Sequence, residues 1–158
     1  MSVIKANRKE GKLTVIVKAR ELCSYTVQIC KNEKNFPKRE RWILTQPIVN
    51  EALGILTSLR RANAVAVETP EDYKYRRSQQ IQAYSMCEAL LTLIEVAYQS
   101  LNLGSDRAEY WTGLVVDLEE YLKRWIRSDS KRYATVGESK QTGSTTKKVV
   151  LILRKLAA

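Results

Sequence analysis

The chain has 158 residues, a formal net charge of +10 and no histidine. The absence of histidine removes the commonest general base, the usual catalytic triads and most catalytic zinc and di-iron sites. The chain contains no run of 18 apolar residues and no apolar signal core at its start, so we expect a cytoplasmic protein without a membrane span.

Residues 1–12 are polar and basic, and we predict that they form a loose N-terminal arm. The first helix is predicted over 13–31, because an inner seam recurs there at helical spacing: Ile16, Ala19, Cys23, Thr26 and Cys30. The β-branched run at 13–17 is also compatible with a strand, so the first turn of this helix stays open.

The cysteines Cys23, Cys30 and Cys87 do not show metal-ligand spacing. Cys23 and Cys30 lie about 10 Å apart along one predicted helix, which is too far for a disulfide. We therefore expect three buried thiols in a reducing compartment, and neither a metal nor a cofactor.

A turn is predicted at 32–37, and a second helical region at 38–63. The apolar face of that region is broad and consists of Trp42, Val49, Ala52, Leu53, Ile55, Leu56 and Leu59. Pro47 lies inside it. Either the helix kinks at Pro47, or Thr45 caps a new start and Pro47 falls in the first turn, where its missing N–H is harmless. We favour the second alternative.

The longest amphipathic stretch is 77–102, although a start near Glu71 also fits the pattern. Six of its side chains follow one another at spacings of three and four residues: Tyr84, Cys87, Leu91, Ile94, Tyr98 and Leu101. Without an internal Pro or Gly, the helix is predicted to run uninterrupted for about 39 Å. Gly104 is predicted to cap its C-terminus, and Ser105 to cap a fourth helix that ends near Arg127.

Four amphipathic helices joined by short turns predict an all-α fold, an up-down-up-down four-helix bundle over residues 13–128. Residues 129–158 are predicted to form a flexible basic C-terminal tail, in which a polar linker precedes the apolar, basic-flanked segment 147–156. Three interpretations of that segment stay open: a strand added to a partner, a helical turn on a neighbour, or a short element docked on its own bundle.

Groups that could carry catalysis are scarce. Glu51, Glu88, Glu95 and Glu119 lie near the predicted seams, but no nucleophile or metal ligand pairs with them, and we expect them at the surface. The glycines within 137–143 lack the Gly-Lys-Ser pattern of a phosphate-binding loop. We therefore predict that the protein is not an enzyme.

Basic side chains give the stronger functional signal, because Lys and Arg neutralise phosphates and tyrosine rings stack on exposed bases. Tyr73 and Tyr75 interleave with one basic cluster at the start of the third helix. The candidate nucleic-acid contacts are Lys38, Arg39, Arg41, Arg60, Arg61, Lys74, Arg76 and Arg77, reinforced in the tail by Lys131, Arg132, Lys147 and Lys148. The alternative is a solvated bundle end whose charge serves only solubility.

The large aromatic residues Trp42, Trp111 and Trp125 are interpreted as anchors in the core or in a subunit interface. Tyr110, next to Trp111 in the chain, is expected on a different helix face, where it could serve an oligomer contact.

The run YTVQICKNEKNFPKRERW, from Tyr25 to Trp42, resembles the four-helix-bundle proteins of the Avd type, the accessory variability determinants of diversity-generating retroelements. Its Phe36-Pro37-Lys38 sequence is also similar to the bundle proteins encoded by intervening sequences in bacterial large-subunit rRNA genes. The resemblance covers roughly residues 13–130. It includes Ala62-Asn63-Ala64 and the stretch from Tyr110-Trp111 to Trp125-Ile126.

The resemblance implies an adaptor rather than an enzyme. Avd-type proteins form a ring, typically a pentamer, whose basic surface binds the reverse transcriptase and RNA of the element and supports mutagenic reverse transcription. We therefore expect a homo-oligomer with RNA and a reverse transcriptase as partners. An rRNA-associated bundle without a polymerase partner and a purely structural helical oligomer remain as alternatives.

Overall fold

The computed structural model describes residues 10–138 of the chain, and side chains over 14–136. Within that range the protein is helical and contains no strand, which confirms the predicted all-α fold. The α-helices are α1 (Glu10–Lys31), α2 (Gln46–Ala64), α3 (Pro70–Ser100), α4 (Ser105–Arg132) and the short α5 (Ala134–Glu138). None of them is long and apolar enough to cross a bilayer.

The four long helices pack in a closed order, in which α1 and α3 each contact both α2 and α4. One end of the bundle, here called the Arg76 end, brings together the C-terminus of α2, the N-terminus of α3 and the C-terminus of α4. The opposite end, here called the Phe36 end, joins the turn after α1 to the start of α4. There the Phe36 ring lies 6.1 Å from the Trp111 ring, centroid to centroid.

The core is one continuous cluster of apolar side chains from all four long helices. Trp111 is fully buried in it, and its indole Nε1 donates to Thr26 Oγ1 at 2.9 Å. Cys23, Cys30 and Cys87 are free and buried, which confirms the prediction of buried thiols. Burial raises the pKa of the Cys23 thiol to about 11 and the pKa values of Cys30 and Cys87 to about 12, so these thiols are poor nucleophiles.

Pro47 lies in the first turn of α2, as favoured from the sequence, but the Thr45 side chain makes no capping hydrogen bond. A 3₁₀ turn (Lys38–Glu40) and a π-helical turn (Arg41–Thr45) precede α2. The prediction that Trp42 lines the apolar face is wrong, because Trp42 is 73% exposed. The i→i+5 bonding of the π turn adds a residue, which rotates Trp42 away from that face.

The ends of α3 differ from the predicted ends for local reasons. Thr69 and Asp72 form a capping box, with Thr69 N–H donating to Asp72 Oδ2 at 2.8 Å, so α3 starts at Pro70. Leu101 is the C-terminal cap residue of α3. The prediction that Gly104 caps the C-terminus of α3 is therefore wrong. The Gly104 carbonyl accepts from the N–H groups of Arg107 and Ala108 and begins α4.

The helices extend beyond the predicted limits of the bundle at both ends of the chain. α1 includes residues 10–12, which were assigned to the arm. α4 continues through Asp129 to Arg132, four residues beyond the predicted end of the bundle at residue 128, and α5 follows it to Glu138. Residues 139–158, including Lys147, Lys148 and the apolar segment, lie outside the described residues, as do residues 1–9 of the arm.

Candidate nucleic-acid interface

The predicted basic residues fall into two groups at opposite ends of the bundle. Lys38, Arg39 and Arg41 belong to the turns at the Phe36 end, whereas the remaining described candidates belong to the Arg76 end. The 19 residues of α2 separate the two groups by about 28 Å along the helix axis. The structure therefore does not bring all the candidates into one patch.

At the Phe36 end, carboxylates already pair with two of the three predicted cations. Lys38 Nζ lies 3.4 Å from Glu33 Oε1, and Arg39 Nε lies 3.1 Å from Glu40 Oε1. Surface pairs of this kind contribute about 0–1 kcal/mol, so a phosphate could replace the carboxylate. Exposed Trp42 and Ile43 follow directly in the chain.

Arg76 lies at the centre of the opposite end, where it is only 2% exposed. Its Nε donates to Asp129 Oδ2 at 2.6 Å, its Nη2 to Asp129 Oδ1 at 3.2 Å and its Nη1 to the Val65 carbonyl at 3.2 Å. The Trp125 ring covers the guanidinium at 5.1 Å. The prediction that Arg76 is a surface cation available to phosphate is therefore wrong. Arg76 instead joins α3, α4 and the α2–α3 connection.

Arg77 and Tyr73 belong to the same junction. The half-buried Arg77 donates from Nη1 to Ser130 Oγ at 2.6 Å and to the Tyr73 hydroxyl at 3.4 Å. The Tyr73 ring packs on the Tyr133 ring at a centroid distance of 5.6 Å. Of the two tyrosines predicted to stack on bases, Tyr75 is thus the more accessible, with 48% of its surface exposed.

Exposed cations surround this buried junction on three helices. The predicted members Arg60, Arg61, Lys74, Lys131 and Arg132 are all exposed. Arg127, at the predicted end of the fourth helix, is also exposed and lies one helical turn before Lys131. The exposed cations of the Arg76 end, together with half-buried Arg77, form a set that we call the basic end surface: Arg60, Arg61, Lys74, Arg77, Arg127, Lys131 and Arg132.

Three carboxylates lie at the same end of the bundle as the basic end surface, those of Glu68, Glu71 and Asp72. Among the side chains that the structure describes, those of residues 14–136, no carboxylate forms an ion pair with a member of this surface. The Asp72 carboxylate at this end accepts hydrogen bonds from Thr69 Oγ1 and from the N–H groups of Thr69 and Glu68, which keep its pKa below the usual range. Its charge is thus engaged in capping α3.

The described residues do not assemble a metal site: no group of three Cys, Asp or Glu side chains among them could hold an ion. Glu88 and Glu95 are exposed, as predicted, and Glu51 is half-buried. The prediction of a surface position for Glu119 is wrong, because it is only 5% exposed. Desolvation, followed by the nearby Glu88 carboxylate, raises the pKa of Glu119 to about 7.

No protein-family model and no curated protein matches the chain. Its structure is similar to the crystal structure of a protein with unknown function from the S23 ribosomal protein family of Bacteroides thetaiotaomicron, with a TM-score of 0.65. The similarity covers 74% of this chain and 98% of that chain, at 12% sequence identity. The likeness is one of fold, and it supports the helical bundle. The Avd resemblance stays a prediction.

Proposed function

We propose that this protein is a non-catalytic RNA-binding adaptor, which self-associates and supports the reverse transcriptase of a diversity-generating retroelement. The observation that carries the RNA-binding part is the basic end surface, whose cations surround the Arg76–Asp129 junction and form no ion pair with any carboxylate among the side chains of residues 14–136. The reverse transcriptase and the pentameric ring rest on the sequence resemblance of residues 25–42.

The basic end surface suits a polyanion better than a small ligand. Its cations come from α2, α3 and α4, and all of them except Arg77 are exposed, so they can meet several phosphates at once. Binding of this kind releases condensed counterions, and its affinity therefore falls steeply with salt. The exposed ring of Tyr75 adds a stacking surface beside Lys74.

Self-association is supported by large apolar side chains at the surface. Trp42 and Ile43 are 73% and 74% exposed, and Tyr110 is 58% exposed. Neighbouring exposed apolar side chains commonly mark protein contacts. A ring of copies would repeat the basic end surface and raise the avidity for RNA. Replacing Trp42 and Ile43 with Ser should lower the native mass, whereas an unchanged mass would remove them from the interface.

A second candidate is an rRNA-associated bundle without a polymerase partner, and the fold similarity to a member of the S23 ribosomal protein family favours it. Binding assays with the two kinds of partner separate the candidates. Retention of the neighbouring reverse transcriptase on the immobilised full chain supports the adaptor. Binding to an rRNA fragment without retention of the polymerase supports the second candidate.

The RNA-binding part is tested by measuring the affinity of the full chain for a structured RNA across a salt series. Arg60→Glu with Arg61→Glu should weaken binding at least tenfold and reduce the slope of log K against log salt by about 1.4 to 1.8, as expected for two lost phosphate contacts. Circular dichroism should show unchanged helicity.

The matched control combines Arg20→Glu with Lys31→Glu. It changes the net charge equally, at exposed positions on α1. The proposal expects the control to retain most of the affinity. Equal losses in the two variants would mean that only net charge matters, and would overturn the basic end surface as a site.

A further inference from the structure

A groove with a volume of about 500 Å³ runs between α3 and α4, away from the basic end surface. Leu91, Ile94 and Ala108 give it an apolar floor, and Glu95, Tyr98 and Glu109 line it as well. The size is within the range of pockets that enclose a ligand or several side chains. The groove is open to solvent along the outer seam of two helices.

The charge at this groove is opposite to that of the whole protein. Glu95 from α3 and Glu109 from α4 are both exposed, on a chain with a net charge of +10. Among the described residues no Lys or Arg pairs with either carboxylate. Glu88 and Asp106 add further negative charge on the same two helices. The groove therefore suits an occupant that is apolar in the middle and cationic at its ends.

The chain itself contains a segment of that composition. Residues 149–153 read VVLIL, with Lys147-Lys148 before them and Arg154-Lys155 after them. An uninterrupted apolar run of this kind is rarely left in water. Its composition complements the groove: apolar side chains match the floor, and flanking cations match Glu95 and Glu109.

The length of the intervening chain permits docking within one molecule. α5 contacts α3, and Tyr133 just before α5 packs on Tyr73 in the first turns of α3. From Arg76 to Ile94 the distance along α3 is about 27 Å. Residues 139–148 can span up to about 33 Å when extended. The segment can therefore reach the groove by following the outer surface of α3.

We propose that residues 147–156 dock in the α3–α4 groove of their own chain, with 149–153 on the apolar floor and the flanking cations beside Glu95 and Glu109. This places Lys147 and Lys148 at an acidic groove instead of at RNA. The proposal does not depend on the RNA-binding function, because the groove lies apart from the basic end surface.

Disulfide trapping in the full chain tests the position of the segment. Tyr98→Cys places a thiol at the groove and Leu151→Cys places one in the segment, while the native thiols are buried and have raised pKa values. On mild oxidation at low protein concentration, this pair should form a disulfide within one chain, seen as faster migration on a non-reducing gel at monomer mass.

The control combines Ile81→Cys with Leu151→Cys. Ile81 is 52% exposed on the same helix and lies closer to α5 along the chain path, so an undocked tail would meet it at least as often. The proposal expects the Tyr98 pair to link at least tenfold faster. Equal rates, or a Tyr98 pair that links only between two chains, would overturn docking within one molecule.

The charge complementarity is tested in the same trapping variant. Glu95→Lys with Glu109→Lys should slow disulfide formation at least fivefold. High salt should slow disulfide formation in the trapping variant that retains Glu95 and Glu109. Glu21→Lys with Glu120→Lys makes the same change of net charge at exposed positions elsewhere and should have little effect. An unchanged rate in the groove variant would contradict the proposed contacts, whatever the RNA titrations show.

Discussion

Arg76 of α3 and Asp129 of α4 form an ion pair that is almost completely closed to water, with side-chain exposures of 2% and 0%. Two guanidinium nitrogens meet the two carboxylate oxygens, and Gln80 Nε2 donates to Asp129 Oδ2 at 2.8 Å. A buried pair of this kind is costly to assemble, yet removal of one partner leaves an uncompensated charge. The pair therefore fixes how α4 meets α3 beneath the basic end surface.

We predict that Asp129→Ala lowers the free energy of unfolding by about 3–5 kcal/mol, because Arg76 is left buried without its counter-ion. Urea denaturation followed by circular dichroism measures the change. The double variant Arg76→Met with Asp129→Leu should recover part of the loss. Arg77→Ala, which removes the neighbouring bond to Ser130, should cost about 1 kcal/mol. A loss below 1 kcal/mol for Asp129→Ala would contradict the burial of the pair.

The burial of Arg76 was partly readable from the sequence. The buried side chains of α3 follow one stripe at spacings of four and three: Arg76, Gln80, Ala83, Cys87, Leu90, Ile94 and Ala97. The predicted stripe includes the larger residues Tyr84 and Tyr98 and is therefore rotated relative to the buried stripe. In the structure these two tyrosines lie at the edges of the buried stripe. Extending the Ala83–Cys87 register backwards by whole turns would have reached Arg76.

The partner of Arg76 was not readable in the same way. Asp129 lies 53 positions away in a polar stretch that was assigned to a linker, so its burial depends on the register between α3 and α4. The number of long helices and the position of Pro47 were predictable, because hydrophobic spacing and proline chemistry are local. The π turn was not, because its extra residue leaves no distinct pattern in the sequence.

Glu119 should make the stability depend on pH. Its folded pKa is about 7 against an ordinary value of 4.5, so between these pH values the folded protein retains a proton that the unfolded chain has lost. Stability therefore falls as pH rises from about 4.5 to 7, by about 2–3 kcal/mol, and then levels off. Urea titrations at several pH values measure the decline.

The Glu119→Gln variant should remove most of that decline, because its side chain does not ionise. Glu120→Gln serves as the control, since Glu120 is exposed and pairs with Lys123 at 3.2 Å. A decline that persists in the Glu119 variant would assign the pH dependence to other groups.

The hydrogen bond between Trp111 and Thr26 should be important for the packing of α4 on α1. Thr26→Val keeps the volume of the side chain but leaves the buried indole N–H without its acceptor. We predict a loss of about 1–3 kcal/mol in the free energy of unfolding. Thr26→Ser retains the hydroxyl and should restore the bond at the cost of a methyl group. A Val variant as stable as the wild type would show that the indole finds another acceptor.

The two basic groups should contribute to RNA affinity unequally and independently. Lys38 and Arg39 already lie beside carboxylates, so Lys38→Glu with Arg39→Glu should weaken binding less than Arg60→Glu with Arg61→Glu. The groups lie about 28 Å apart along α2, and effects at that distance usually add within about 0.5 kcal/mol. Titration of one RNA with the wild type, with each double variant and with the variant that combines all four substitutions gives the coupling energy. A larger loss at the Phe36 end, or a coupling above 1 kcal/mol, would mean that RNA binds mainly at that end or engages both ends cooperatively.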